Sequence, residues 1–162
     1  MTTPTSTRQC NWHLDRRLPL AFVAGFLGVL FFHQPMLGVL HALGLTAHAP
    51  YPMVATVPFA VPKVLSLAFW GGVWALPLAL ALRCIRTPTA YWLTALLFGA
   101  IGPSLVNWLV VLPLKGAPMG GGWHPSALLT ALIINGAWGL GTALLLRWTS
   151  RRAVRTEQPI GP

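Results

Sequence analysis

Residues 18–45 read LPLAFVAGFLGVLFFHQPMLGVLHALGL, an apolar run from Leu18 to Leu45 with no Asp, Glu, Lys or Arg. A helix needs about 20 apolar residues, at 1.5 Å each, to cross the ~30 Å hydrocarbon layer of a bilayer. Three more runs follow, at Val64–Leu82, Ala90–Leu114 and Ala127–Leu146, and they are equally free of charge. In lipid a backbone must satisfy its own polar groups, so each run predicts a helix. The expected fold class is all-α, a four-transmembrane-helix bundle built from two parallel-oriented helical hairpins. Residues 1–17 and 148–162 flank it as tails, with the transmembrane domain over 18–147.

Composition supports a membrane protein. The chain has 162 residues, 55% hydrophobic and only 8% charged, where a soluble domain has about a quarter charged. Its net charge of +9 does not mark a nucleic-acid surface, because the basic residues sit in the breaks between apolar runs. Arg8, Arg16 and Arg17 precede the first run, Arg83 and Arg86 part the second from the third, and Arg147, Arg151, Arg152 and Arg155 follow the fourth. Lys63 and Lys115 stand alone on the other side. The positive-inside rule then expects a multi-pass membrane protein with both termini cytoplasmic.

Arg16-Arg17 ahead of an apolar stretch suggests a twin-arginine signal, and Ala47-His48-Ala49 a cleavage site. The run is about twice the usual 7–15 residues of such a signal, and Pro50 would follow the cut directly, so a span is expected. Cys10 and Cys84 fall on the cytoplasmic side, where thiols stay reduced, and no disulfide is expected.

The second and fourth runs align without gaps: Gly72-Val73-Trp74-Ala75-Leu76 meets Gly136-Ala137-Trp138-Gly139-Leu140. Arg17-Leu18-Pro19 and Arg86-Thr87-Pro88 open the first and third, which then carry Pro35 and Pro103. This pattern suggests an internal duplication with an axis along the membrane normal. Small residues mark helix contacts in lipid, and they line the fourth run as Ala131, Gly139 and Ala143 and the second as Gly71, Ala75 and Ala79. The expectation is that the second and fourth helices meet at the bundle centre. Asn135, about 13 Å below the outer surface, needs an interhelical hydrogen bond there. Pro35 removes a donor and should kink or break the first helix near His33-Gln34, and Pro103 should bend the third.

Most polar side chains fall in the outer half. His33 and Gln34 lie about 24–26 Å along the first helix and Asn107 about 25 Å along the third. Together with His124 and Asn135 they form the candidate polar pocket, and an ionisable His33 inside a span is its strongest member. Gln34, His41 and His48, seven apart, share a face if the helix continues that far. The external histidines, with Met36, Met53 and Met119, leave haem or copper binding open, but no tight ligand spacing occurs and no cofactor or metal is expected. No intramembrane carboxylate, Cys pair, Gly-x-Ser-x-Gly elbow or phosphate loop is present in the sequence, so no catalytic residue is assigned. Gly120-Gly121-Gly122 reads as a flexible turn, and the proline-rich loop over 46–63 as an extended connector. Trp12, Trp92 and Trp148 should mark the inner headgroup belt, Trp108 and Trp123 the outer one, and Trp70, Trp74 and Trp138 the interior.

Phe32-His33-Gln34-Pro35, Leu40-His41-Ala42-Leu43 and Val64-Leu65-Ser66-Leu67-Ala68-Phe69-Trp70-Gly71-Gly72 together resemble a family of small uncharacterised four-helix bacterial inner-membrane proteins. The resemblance implies a membrane location and transfers no functional residue. The leading expectation is a structural or accessory subunit without enzymatic activity, whose partners are the bilayer and a membrane protein or further copies of itself. The alternatives are a small oligomeric transporter or channel component, and a haem- or copper-binding redox subunit.

Overall fold

The computed structural model describes residues 14–156, with side chains over 18–149. Arg8, Cys10, Trp12 and His13 lie outside the described residues, as do the side chains of Arg16, Arg17, Arg151, Arg152 and Arg155. Four helices are long and apolar enough to cross a membrane: Leu18–Ala42, Lys63–Arg83, Pro88–Leu114 and Pro125–Thr149.

The first span is α1 (Leu14–Gly28), a π-turn over Val29–His33, and α2 (Gln34–Ala42). Proline therefore does not break this helix. Pro35 has no N–H to offer, and the turn ahead of it widens so that the Gln34 N–H bonds the Val29 carbonyl, which keeps the backbone helical up to the proline. The third span repeats the device. After α4 (Pro88–Val106), a π-turn over Asn107–Val111 leads into α5 (Leu112–Leu114), and the Leu112 N–H reaches the Asn107 carbonyl. Pro113 follows this second π-turn just as Pro35 follows the first. The structural counterpart of Pro35 is thus Pro113, not Pro103, which sits inside α4 with no widened turn beside it.

The remaining spans are α3 (Lys63–Arg83) and α6 (Pro125–Thr156). Between α2 and α3 the expected connector folds into a hairpin of β1 (Ala55–Thr56) and β2 (Val61–Pro62), antiparallel with Ala55 opposite Pro62 and Thr56 opposite Val61. The Thr56 hydroxyl closes it by donating to the Val61 carbonyl at 2.8 Å. Glycines Gly120, Gly121 and Gly122 take φ of 63, 63 and 80°, which makes a tight left-handed turn before α6.

Helix contacts differ from the small-residue expectation. The most extensive are α4 with α6 and α1 with α3; α1 also packs along α6, whereas α3 and α6 touch only slightly. The second and fourth spans therefore make only a minor contact, where Trp138 comes up against Gly71. The reason lies on their partners. A Cβ at Gly25 of α1 would collide with Ala75 and the Gly71 carbonyl, and a Cβ at Gly139 with the Ala95 carbonyl and Gly99. Glycine set against glycine or alanine gives the closest backbone approach. Gly71 and Ala75 thus serve α1, and Gly139 serves α4. Ala143 is buried, while Ala79 and Ala131 are only half-buried. Trp70 also departs from expectation: it is exposed, edge-on to Phe69, because the neighbouring Gly71 and Gly72 occupy the α1 contact. Trp138 is the central aromatic, 2% exposed, and its indole N–H donates to the Gly25 carbonyl at 3.0 Å.

Candidate functional site

The candidate site is the first π-turn and the loop residue that clamps it. When Gln34 N–H shifts to Val29, it abandons the Leu30 carbonyl, and Pro35 has no N–H to replace it. A carbonyl without a donor is costly in an apolar setting such as lipid. Tyr51 supplies that donor: its hydroxyl donates to the Leu30 carbonyl at 2.9 Å. Its backbone N–H donates to Gln34 Oε1 at 2.7 Å. Tyr51 adopts φ of 52°, a left-handed conformation that brings both groups onto the same helix turn. Neighbouring Pro50 lies over Gly38, close enough that a Cβ there would touch its ring at 3.4 Å, an ordinary contact.

Gln34 is fully buried, and His33 almost so. The Gln34 amide nitrogen lies 3.5 Å from His33 Nδ1, at the edge of hydrogen-bonding distance. This pair is the one part of the expected pocket that the fold brings together. Asn107 is exposed on the second π-turn and His124 is exposed in the loop before α6. Asn135 is engaged elsewhere: its amide donates to the Ser104 hydroxyl at 2.9 Å, bridging α6 to α4. The five residues therefore do not form one pocket. The shared face of Gln34, His41 and His48 also fails, because the helix ends at Ala42 and His41 Nδ1 is within 3.1 Å of the Thr46 carbonyl.

At the arginine-bearing end, α4 and α6 are joined differently. The Tyr91 hydroxyl donates to the Ala143 carbonyl at 2.8 Å. The Arg147 guanidinium lies 5.8 Å from the Tyr91 ring centroid and 6.0 Å from that of Trp92, within cation–π range. Thr142 Oγ1 is buried near Gly28 with no hydrogen-bond partner. Among the described residues no three His, Cys, Asp or Glu side chains gather as a metal site.

Sequence reasoning missed Tyr51, Ser104 and Tyr91. Ser104 had a signal, a hydroxyl in the middle of an apolar run. Tyr51 had only its place in Pro50-Tyr51-Pro52, which says nothing of which helix turn it will reach. No known protein family, curated protein or solved structure matches this chain.

Proposed function

We propose that this chain is a structural or accessory subunit of a bacterial inner membrane, acting through its shape and contacts rather than through chemistry of its own. Its spans form two helical hairpins of the same orientation, with both termini on the cytoplasmic side. The observation that carries the role is how the polar groups inside the spans are used. Gln34 is taken by Tyr51, Asn135 by Ser104 and the Trp138 indole by the Gly25 carbonyl. Each bond ties one segment to another, which is what a rigid scaffold requires and what a solute path would have to leave free.

Orientation draws support from two features. A groove between Leu40 and Leu45 on one side and Ser126, Leu129 and Ile133 on the other sets the end of the first span beside the start of the fourth. The basic residues at the opposite end match the positive-inside rule.

The test is native electrophoresis of mildly solubilised membranes, with the chain tagged at its C-terminus. A subunit should migrate in a discrete complex larger than the chain itself, and the complex should survive His33→Ala. If the purified chain alone, in vesicles, carries a solute flux that His33→Ala abolishes without loss of helicity, the accessory reading is wrong.

A further inference from the structure

We propose that the β1–β2 hairpin is a lipid-binding element, with its tip, Val57-Pro58-Phe59-Ala60, seated among the phospholipid headgroups of the leaflet at the Lys63 end. The proposal rests on the reading of the four helices as membrane spans, but not on the accessory role.

The first argument is exposure. Val57 is 95% exposed and Phe59 83%, and Met53 and Val54 beside them are also mostly exposed. Contiguous apolar surface of this kind marks a membrane or partner contact.

The second argument is level. The Lys63 N–H donates to the Val54 carbonyl at 2.9 Å and the Val64 N–H to the Pro52 carbonyl at 3.0 Å. These bonds hold the base of the hairpin at the first turn of α3. Tyr51 ties the same strand down to the Leu30 carbonyl. The loop is therefore pinned at the end of the spans and does not stand free above it. At about 3.3 Å per residue the two-residue strands keep the tip within about 10 Å of Val54, within reach of the polar headgroup layer, which adds about 5–7 Å on each side of the hydrocarbon.

The third argument is chemistry. No charged residue occurs between Thr46 and Pro62, and the flanking Lys63 is exposed. An apolar tip beside one ammonium suits the acyl–phosphate boundary, where aliphatic and aromatic side chains enter and lysine reaches phosphate. Below the hairpin, Leu65 and Phe69, one helical turn apart on α3, continue the exposed apolar surface down the span. Lipid is thus the occupant continuous with what already covers the helix.

The experiment uses the full chain with Cys10→Ser and Cys84→Ser, reconstituted in vesicles of phosphatidylcholine and phosphatidylglycerol with no other protein. A polarity-sensitive fluorophore is attached at Phe59→Cys and, separately, at Val57→Cys; both side chains are exposed, so neither change touches the core. A third label at Leu97→Cys, exposed in the middle of the third span, reports whether the helices lie in lipid at all. The expected result is blue-shifted emission at both tip positions, quenching by lipids with a nitroxide near the headgroup, and loss of most quenching by aqueous iodide. Tip labels that iodide quenches as fully as free dye overturn the proposal, provided the Leu97 label is quenched by deep nitroxide lipid. If the Leu97 label is also open to iodide, the membrane reading itself fails. Shielding of the tip that vanishes when the protein is diluted in the vesicles would mean contact between copies, and also overturns the proposal.

Discussion

Replacing Gly99 with alanine tests the close approach on which the larger helix contact depends. A Cβ at Gly99 would lie 2.7 Å from the Gly139 Cα and 2.8 Å from the Asn135 carbonyl oxygen. Both obstacles are backbone atoms and cannot rotate away. Ordinary contact begins near 3.4 Å, so α4 and α6 must part by about 0.7 Å, enough to forfeit a quarter to a half of each pairwise attraction along the seam. The same movement stretches the 2.9 Å Asn135–Ser104 bond past useful range. Overpacking costs about 1–3 kcal/mol and the polar bond about 0.6 kcal/mol in a membrane, so a loss of about 2 kcal/mol is expected. Gly38→Ala is the control. Its Cβ would meet Pro50 Cγ at 3.4 Å, an ordinary contact, and alanine should help the helix by about 0.5–1 kcal/mol. The same substitution thus has opposite signs at two helical positions. Reversible unfolding in mixed micelles by dodecyl sulfate, followed by the fluorescence of the eight tryptophans, measures both. If Gly99→Ala proves no less stable than Gly38→Ala, the glycine seam does not hold α4 to α6.

Further outcomes follow from the other contacts. Tyr51→Phe keeps the ring but strands the Leu30 carbonyl, so stability should fall by about 0.5–1.5 kcal/mol, and amide exchange at Gln34 should quicken; unchanged exchange there would remove Tyr51 from the support of the π-turn. A double-mutant cycle of Asn135→Ala with Ser104→Ala should give a coupling of about 0.6 kcal/mol, and additive losses would deny the bond seen at 2.9 Å. Arg147→Gln should cost about 0.5–1 kcal/mol through loss of the Tyr91 and Trp92 rings, measured in the same titration; Arg147→Lys should recover part of it. For the proposed threading, Ser126→Cys should react with an impermeant maleimide on intact cells while native Cys84 does not. Labelling of Cys84 alone would invert the orientation.

The four spans were legible because lipid allows so few solutions. Uncharged runs at Leu18–Leu45 and its three counterparts have to become helices, and the runs agree with the observed spans to within a few residues. Which faces would meet was much less legible. Gly71, Ala75 and Gly139 line helix contacts, but a stripe does not name its partner. Gly25 and Gly99, on the first and third helices, decided that, and both sit among apolar residues where no periodic pattern singles them out. The candidate site was less legible still. Depth along a helix places His33, Gln34 and Asn107 at similar levels, yet it does not supply the rotation about each axis. The glycine contacts set that rotation, and they bury Gln34 while leaving Asn107 exposed.

The prolines show why local sequence rules were insufficient here. From Pro35 alone a kink is the natural inference, because one hydrogen bond is lost and one carbonyl is crowded. The fold meets the loss in two stages. Widening the turn moves the defect from the proline to the Leu30 carbonyl, and a residue about twenty positions downstream then fills it. The proline is thus a device for attaching a loop to a helix. A straight α-helix would offer that loop only carbonyls that already accept a bond within the helix, whereas the widened turn offers one with no backbone donor. The second π-turn, ahead of Pro113, has the same geometry, and there the carbonyl released is that of Trp108. The loop carrying Met119–Gly122 lies alongside it. Both apolar-rich loops therefore lie beside turns that a proline has opened, and Tyr51 ties the first of them there. If that account is right, Pro35→Ala should restore ordinary helical bonding from Gln34 to Leu30, release the Tyr51 hydroxyl and free the hairpin, even though alanine is by itself the better helix former.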